Sequence, residues 1–512
     1  MRVLLVKPRP TSVQFGLAPF FQTEPLGLMY LSSALRQHGH EVMLADMRFE
    51  RRSATSILKE FRPQLVAISG LHVLEAPGVL ALAEEVKKFD AKIFVATGGH
   101  AVSSYPDSLD HSRWVDAVCL GEGEALLPAL CDAVAKGEPL DALPSMLLPA
   151  GDGRFAPTTP KREGWLDLGK LPLPDRASVS RYQKNYCCLN YMPVWTMETG
   201  RGCSYRCSFC SVWQFYKRTM RTHSPGDVRT DFQATGRNVF MVDDLFWSDR
   251  DRSRELGDVL LKSGVRKNWL LVQTRADLIT GNADILEQWR PLARNFDIFL
   301  GLESHSTSGL KQLRKDAEIN QSIEAVRIAR NLGFGVTGNF IIDPDYTEED
   351  FRGLWDFLEE HQLFRVGFTI LTPLPGTAYF EQTKKRLEVF DWNQYDLHHL
   401  LWQPRLEPER FWELYCESWR RSVLNLAGRK KWYQWLKEVR IQDIPRMAQI
   451  LSRTQKLMEP KEYLKESALS PRNSPLTHGH PASTPESVRA ARPVVPAAPP
   501  PDRVSPYGDS PR

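Results

Sequence analysis

The sequence predicts an α/β chain in two units with a helical region after them. A Rossmann-like, doubly wound parallel sheet comes first, then a partial (β/α)6 barrel, then a C-terminal helical segment. Three observations carry this. Residues 1–140 alternate short apolar runs with amphipathic stretches, the pattern of strands and helices around a parallel sheet. From 190 to 385 the alternation resumes as six strand-then-helix repeats, each strand ending in a polar motif. From 386 to 467 the chain turns helical, aromatic and charged. Residues 141–189, with Leu171-Pro172-Leu173-Pro174-Asp175 among them, read as a linker. The Pro-, Ser- and Ala-rich tail 468–512 cannot bury a core and is expected to be disordered.

In the first unit Val3–Val6, Glu41–Ala45, Leu65–Ser69, Lys92–Ala96 and Asp116–Leu120 are the expected strands. Pro25–His38, stopped by Gly39-His40, is the first helix, and Val79–Lys88 and Ala125–Lys136 are later ones. Parallel sheets bind ligands beyond the carboxyl ends of their strands. Small residues stand at those ends: Ser69 and Gly70, then Thr97, Gly98 and Gly99, then Gly121, Glu122 and Gly123. Glycines there let a large flat ligand approach the backbone.

In the second unit Val194–Glu198, Val239–Met241, Trp269–Val272, Phe296–Leu300, Gly335–Ile342 and Arg365–Leu371 are the expected strands. Chemistry in such barrels sits at the carboxyl ends, where Asp243, Asp244, Arg275, Glu303 and Asp343 fall.

Composition narrows the function classes. A net charge of +4 over 512 residues is too small to argue for nucleic acid. No apolar run approaches membrane-spanning length. Met1–Lys7 reads as a strand, not as a signal peptide. The eight cysteines make no disulfide framework. Cys119, Cys131, Cys187, Cys188 and Cys416 read as scattered thiols, and a cytoplasmic location follows.

The other three cysteines are the most specific signal. Cys203, Cys207 and Cys210 stand in Gly200-Arg201-Gly202-Cys203-Ser204-Tyr205-Arg206-Cys207-Ser208-Phe209-Cys210. In a C-x3-C-x2-C spacing each thiolate can hold one iron of a 4Fe-4S cluster, leaving the fourth iron open to a small chelating molecule. A structural zinc with His223 as fourth ligand is the competing reading, but zinc ligands usually come as two separated pairs.

The cysteine spacing resembles that of the radical S-adenosylmethionine (SAM) enzymes. With the glycine turns of the first unit, Glu24-Pro25-Leu26-Gly27-Leu28 and the L-P-x-P-D run, the chain looks like the cobalamin-dependent (class B) radical SAM methyltransferases. The runs Phe21–Tyr30, Tyr191–Cys203, Ser211–Arg218 and Arg453–Met458 are similar to those of hopanoid C-3 methylases.

The resemblance implies a 4Fe-4S cluster on Cys203, Cys207 and Cys210. It implies SAM beside Phe209, Asp243, Asp244 and the strand Gly338–Asp343, and cobalamin on the glycine turns. By strand-end position and charge, Arg275 is expected at the SAM carboxylate and Glu303 at a ribose hydroxyl or the amine. The corrinoid motif D-x-H-x-x-G is missing, since Pro8-Arg9-Pro10-Thr11-Ser12 follows the first strand. That implies cobalamin without a histidine below the cobalt, although His72 and His100 stand on nearby loops.

The implied activity is methylation of an unactivated carbon, C-3 on the A ring of a hopanoid lipid. An apolar polycyclic substrate and an electron donor of flavodoxin or ferredoxin type are the implied partners. Three alternatives stay open: a bacteriochlorophyll-type ring methyltransferase, a cobalamin-assisted cyclase or isomerase, and a redox-sensing protein. The aromatics after 386 read as packing on the barrel. For Arg429-Lys430-Lys431 with Trp432 and Trp435 the other reading is a face that touches lipid headgroups at the inner side of the membrane.

Overall fold

A computed structural model describes residues 1–11, 15, 18–158, 164–422 and 444–469. The first strand, β1 (Arg2–Lys7), buries every residue from Val3 to Lys7. A strand covered on both faces belongs inside a parallel sheet. It pairs with β2 (Glu41–Asp46) on one side and β3 (Leu65–Ser69) on the other. With β4 (Phe94–Gly98) and β5 (Ala117–Cys119) the parallel order is β2-β1-β3-β4-β5. The direction of winding reverses between β1 and β3, which puts the switch point of the sheet at the loops after them.

Two further strands, β6 (Met146–Pro149) and β7 (Phe155–Pro157), extend this sheet antiparallel. They lie in the stretch expected to be linker from 141, so the sheet runs to 157 rather than 140. Both are short and end in proline, which suits an edge and hides them from a periodicity search.

The rest of the connector is a strap. Asp175 accepts from Ser32 Oγ at 2.7 Å and Arg36 Nε at 3.0 Å on helix Leu26–Gln37. The other oxygen of Asp175 caps the 3-10 helix Arg176–Asn185. Arg176 then donates to Asp231 at 2.7 Å, Glu24 at 3.4 Å and the Thr196 carbonyl at 3.0 Å. One guanidinium thereby ties the start of the first helix to the second sheet.

That second sheet has six parallel strands in chain order: β8 (Trp195–Met197), β9 (Asn238–Met241), β10 (Lys267–Thr274), β11 (Ala293–Glu303), β12 (Gly335–Ile342) and β13 (Val366–Ile370). The expected strand centres are all present, with ends moved by a few residues. Since β8 and β13 are its edges, the barrel is open between them. Helix Ile444–Lys456 reaches the β8 side, where Arg446 Nε donates to the Leu189 carbonyl at 3.0 Å.

Helix Pro408–Arg421 buries Phe411, Trp412, Tyr415 and Trp419. Tyr415 donates to the Phe368 carbonyl at 2.9 Å, and Trp412 stacks on Tyr463 at 4.4 Å. These aromatics are core of the barrel. Arg429, Lys430, Lys431, Trp432 and Trp435, and the tail from 470, lie outside the described residues. Among the described residues no helix is long and apolar enough to cross a membrane.

Candidate active site

A cavity of about 2390 Å³ lies between the carboxyl edges of the two sheets and runs on into the barrel. One small-molecule ligand usually occupies ~300–1,000 Å³, so this chamber has room for more than one. Ser69, Thr97, Gly98, Gly99, Gly121, Glu122 and Gly123 line it from the first sheet; Gly70 does not.

The glycines at this edge serve the packing of one loop on another. A Cβ on Gly99, whose φ is +121°, would meet the Gly70 carbonyl oxygen at 2.7 Å, and one on Gly70 would meet Val102 at 2.3 Å. Only Gly121, φ +77°, faces open space, with Trp165 its nearest neighbour at 3.8 Å. Glu24 also lines the cavity, and its Oε1 is buried without a hydrogen-bond partner among the described residues. A bound molecule bearing amide N–H groups, as a corrin does, would satisfy it.

His72 takes the Leu74 N–H on Nδ1 at 3.3 Å. His100 shares a 2.7 Å hydrogen bond with Ser211, the residue after Cys210, and stacks on Phe215 at 4.5 Å. Burial pushes the His100 imidazole down to about 4, so it is neutral at neutral pH. That nitrogen is taken by the cluster loop.

The cluster loop begins where Gly200–Arg201 pairs antiparallel with Arg221–Thr222. Gly202 has φ +102°, and a Cβ there would lie 2.0 Å from the Thr219 carbonyl oxygen, so only glycine fits. Trp213 Nε1 donates to the Cys207 carbonyl at 2.9 Å, and the Ser208 N–H donates to the Leu313 carbonyl at 2.9 Å. Burial pushes the thiols of Cys203, Cys207 and Cys210 up, the last to about 12. A thiol in that setting keeps its proton unless a metal replaces it.

Among the described residues no three His, Cys, Asp or Glu side chains converge to hold a single ion. His223 is engaged with Glu198 at 3.2 Å and stacked on Tyr30 at 5.8 Å. Neither observation suits a mononuclear zinc site. Three cysteines on one loop, each free to take a different iron, fit a cluster.

The polar strand ends divide. Asp244 lines the cavity and accepts from the Gly202 N–H at 2.8 Å; the surrounding protein pushes its carboxyl up to about 6. Asp243 faces the other way, accepting from Thr199 N and Oγ1 at 2.8 and 2.6 Å, and burial pushes it to about 7.

Arg275 is committed behind the cysteines. It donates to Asp277 at 2.9 Å and to the Lys315 carbonyl at 2.6 Å, lies 3.5 Å over the Tyr205 ring, and points Nη1 at Cys207 Sγ, 3.7 Å away. Glu303 pairs with buried Lys315 at 2.8 Å, with φ +63° at a break in the β11–β12 register. Phe209 packs with Leu313, Ile341 and Leu371. Gly338 and Asn339 of β12 do line the cavity.

Several site residues escape a reading of motifs. Arg201 pairs with Glu122 at 3.0 Å, Glu124 at 2.8 Å and Glu198 at 2.7 Å, and Arg221 with Glu122 at 2.8 Å. Although burial opposes it, Arg221 and Arg201 hold the Glu122 carboxyl below its usual range. This network fastens the fifth-strand loop of the first sheet to the cluster loop. The Gly-Arg-Gly ahead of Cys203 was its available signal; Lys315 had none.

Two family models match the chain: a B12 binding domain over residues 17–131 and the radical SAM superfamily over 197–358. The hopanoid C-3 methylase of Methylococcus capsulatus is 31% identical over 421 residues, which is 81% of this chain and 79% of that protein. The anaerobic magnesium-protoporphyrin IX monomethyl ester cyclase of Rubrivivax gelatinosus is 24% identical over 444 residues, 83% of this chain and 78% of that one. Among solved structures, the cobalamin-dependent S-adenosylmethionine radical enzyme OxsB, with aqua-cobalamin and S-adenosylmethionine bound, is similar in fold. It matches with a TM-score of 0.64 at 18% identity, over 89% of this chain and 72% of that chain.

Proposed function

The chain belongs to the cobalamin-dependent radical SAM methyltransferases, and on that premise we propose that it methylates C-3 on the A ring of a hopanoid lipid. Its cofactors are a 4Fe-4S cluster, SAM and cobalamin. When bound, the cluster and SAM supply hydrogen-atom removal from an unactivated carbon, and cobalamin supplies the methyl group.

The observation that carries the lipid reading is the inner half of the cavity, where Trp269, Leu271 and Phe299 line the barrel. A rigid apolar polycycle gains from burial against such walls. The similarity to the Methylococcus capsulatus methylase supports the same substrate class.

The residues divide the labour. Cys203, Cys207 and Cys210 hold three irons. Asp244 takes the SAM amine, with Asp243 holding Thr199 in place behind it. Phe209, against Ile341, sets the adenine side beside Gly338 and Asn339. Arg275 and Glu303 act through the cluster loop and Lys315 rather than on SAM itself. Ser69, Thr97, Gly98, Gly99, Gly121, Glu122 and Gly123 form the corrin side, with Gly70 supporting them.

An electron donor of flavodoxin or ferredoxin type completes the system. Contact with the membrane surface is part of the proposal. Phe21, Met192, Ile444 and Leu451 are exposed apolar side chains on the segments that Arg446 draws together beside the open side of the barrel.

Lipid and pigment mass spectrometry of a gene-deletion strain tests the reading. Loss of 3-methylhopanoids is expected, and unchanged 3-methylhopanoids reject it. Loss of a pigment methyl group instead identifies a ring methyltransferase. Conversion by purified enzyme without transfer of the labelled SAM methyl identifies a cyclase or isomerase.

A further inference from the structure

The wall of the cavity contributed by the C-terminal region contains polar atoms without a hydrogen-bond partner among the described residues. Segment Trp392–His399 sits at the seam of the two sheets. Asn393 Oδ1 accepts from Thr11 Oγ1 at 3.1 Å on the β1 loop, and the Leu397 carbonyl accepts from the Ile370 N–H at 2.7 Å at the end of β13. Gln394 and His399 both line the cavity. Gln394 Oε1 and His399 Nε2 are both buried without a hydrogen-bond partner.

Folded proteins seldom leave two such orphans on one wall. We propose that Gln394 and His399 form a hydrogen-bonding subsite of the cavity, which takes a hydroxyl or carboxamide group of the bound molecule.

His399 is held for this role. Its side chain is only 3% exposed, its Nδ1 lies 2.9 Å from Asp396 Oδ1, and its ring meets Phe15 edge-on at 5.3 Å. Asp396 Oδ1 is itself fixed by the His398 N–H at 2.9 Å. The nearest acid to Nε2, Glu466, is 3.9 Å away, beyond hydrogen-bond reach.

The ring position limits the chemistry of the ligand. In the neutral imidazole Nδ1–H donates to Asp396, and Nε2 is an acceptor; in the cation Nε2–H is a donor. Gln394 Oε1 accepts in either case. A primary amide, with two N–H donors and a carbonyl, serves both states; a hydroxyl, with a single hydrogen, serves the cationic state; a carboxylate or a bare hydrocarbon serves neither. Phe15, Leu74 and Leu457 line the same chamber and offer apolar contact to the rest of the bound molecule. The source is either a hydroxyl of the methyl acceptor or a carboxamide at the corrin edge.

The proposal rests on the methyltransferase reading of the cavity, not on the acceptor being a hopanoid. Its test uses reconstituted holoenzyme and the total lipid and pigment extract of a deletion strain, so that the enzyme selects its own acceptor from labelled SAM. The mass of the labelled product decides the hopanoid reading separately.

Wild type, Gln394→Leu and His399→Asn are compared on the extract before and after O-acetylation, which blocks hydroxyls. His399→Asn keeps an N–H for Asp396 and removes Nε2. Gln394→Leu removes Oε1 at nearly constant shape and guards against misfolding of the other variant.

With a substrate hydroxyl as occupant, acetylation raises the wild-type KM about tenfold. The variants start about tenfold higher at near-constant kcat and lose little more on acetylation. With a corrin carboxamide as occupant, both variants instead retain less corrin per folded chain by visible absorbance. Wild-type corrin content in both variants, together with a wild-type response to acetylation, overturns the subsite.

Discussion

Where the first sheet ends in Ser69, Thr97, Gly98 and Gly99, the barrel sheet ends in Asp243, Asp244, Arg275 and Glu303, with one cavity between the two edges. The first edge makes room through its glycines, with Glu122 drawn into its pairs with Arg201 and Arg221, and its loops lean on one another so closely that Gly70 donates to the Gly98 carbonyl at 2.7 Å. The second edge carries charge but directs most of it sideways. Arg275, Lys315 and Glu303 form a chain behind Cys207, and of the four barrel-edge residues named only Asp244 turns to the cavity. A neutral, broad ligand suits the first edge. An anionic thiolate cluster suits the second, because two cations stand beside Cys207.

The sharpest break of this contrast is at the cysteines. Cys203→Ala, Cys207→Ala or Cys210→Ala should each abolish the visible iron–sulfur absorbance and all turnover, while corrin binding at the other edge survives. Retention of full absorbance in any one variant removes that residue from the ligand set.

Arg275→Ala should come next. It removes a buried cation that satisfies two carbonyls and the Tyr205 face, and losses of this kind cost about 3–5 kcal/mol. The expected result is a lower melting temperature and substoichiometric iron. Because Arg275 does not line the cavity, SAM affinity per intact cluster should stay near wild type. A selective loss of SAM affinity with full iron would return Arg275 to the SAM carboxylate.

At the glycine edge, Gly99→Ala and Gly121→Ala separate two roles for glycine. Gly99 has φ +121° and ψ 175°, a region open essentially to glycine alone, and its Cβ would strike Gly70. About 2 kcal/mol of destabilisation is expected. Gly121→Ala carries only the left-handed backbone cost of about 1 kcal/mol, and its Cβ would point into free space. Thermal melts should rank Gly99→Ala as the more damaging to the fold; corrin titration should show Gly121→Ala as a change in affinity at a nearly normal melting temperature.

The legible parts of this molecule were those whose partners lie close in sequence. Three cysteines within eight residues, six apolar runs each followed by a polar turn, and glycines after strands are local patterns, and they located the cluster loop, the barrel and the first sheet. What stayed hidden depends on distance along the chain. Arg201 meets Glu122 across 79 positions, and Arg176 meets Glu24 across 152. Lys315 is an ordinary loop lysine until folding brings it to Glu303. The strand-end charges looked alike in sequence because an aspartate facing a cavity and one capped by Thr199 differ only in side-chain direction. The C-terminal aromatics Trp412 and Tyr415 pack on the barrel, as their sequence suggests, while the apolar part of the lumen comes from Trp269, Leu271 and Phe299, which sit at alternate positions of two strands.

The smallest expected effect tests whether Asp244 is the one barrel-edge charge that meets a ligand. Its carboxyl is pushed up to about 6 because burial, with Glu198 nearby, disfavours the anion. The folded chain therefore holds this proton more tightly than the unfolded chain does. The stabilisation is full below the unfolded value near 4 and is lost as pH rises through about 6. Binding of the SAM amine runs the other way, since its N–H groups are received best by the carboxylate anion. Affinity of the reconstituted enzyme for SAM should rise by about tenfold from pH 5 to pH 7, as the ionised fraction does, and level off above. Asp244→Asn should flatten that profile at its weak, acidic limit and raise the melting temperature at pH 7. Asp243→Asn, whose partner is Thr199 rather than the cavity, should lower stability and keep the slope. Equal slopes in wild type and Asp244→Asn would leave the barrel edge with no charge aimed at SAM, and the contrast between the two edges would then rest on the cluster alone.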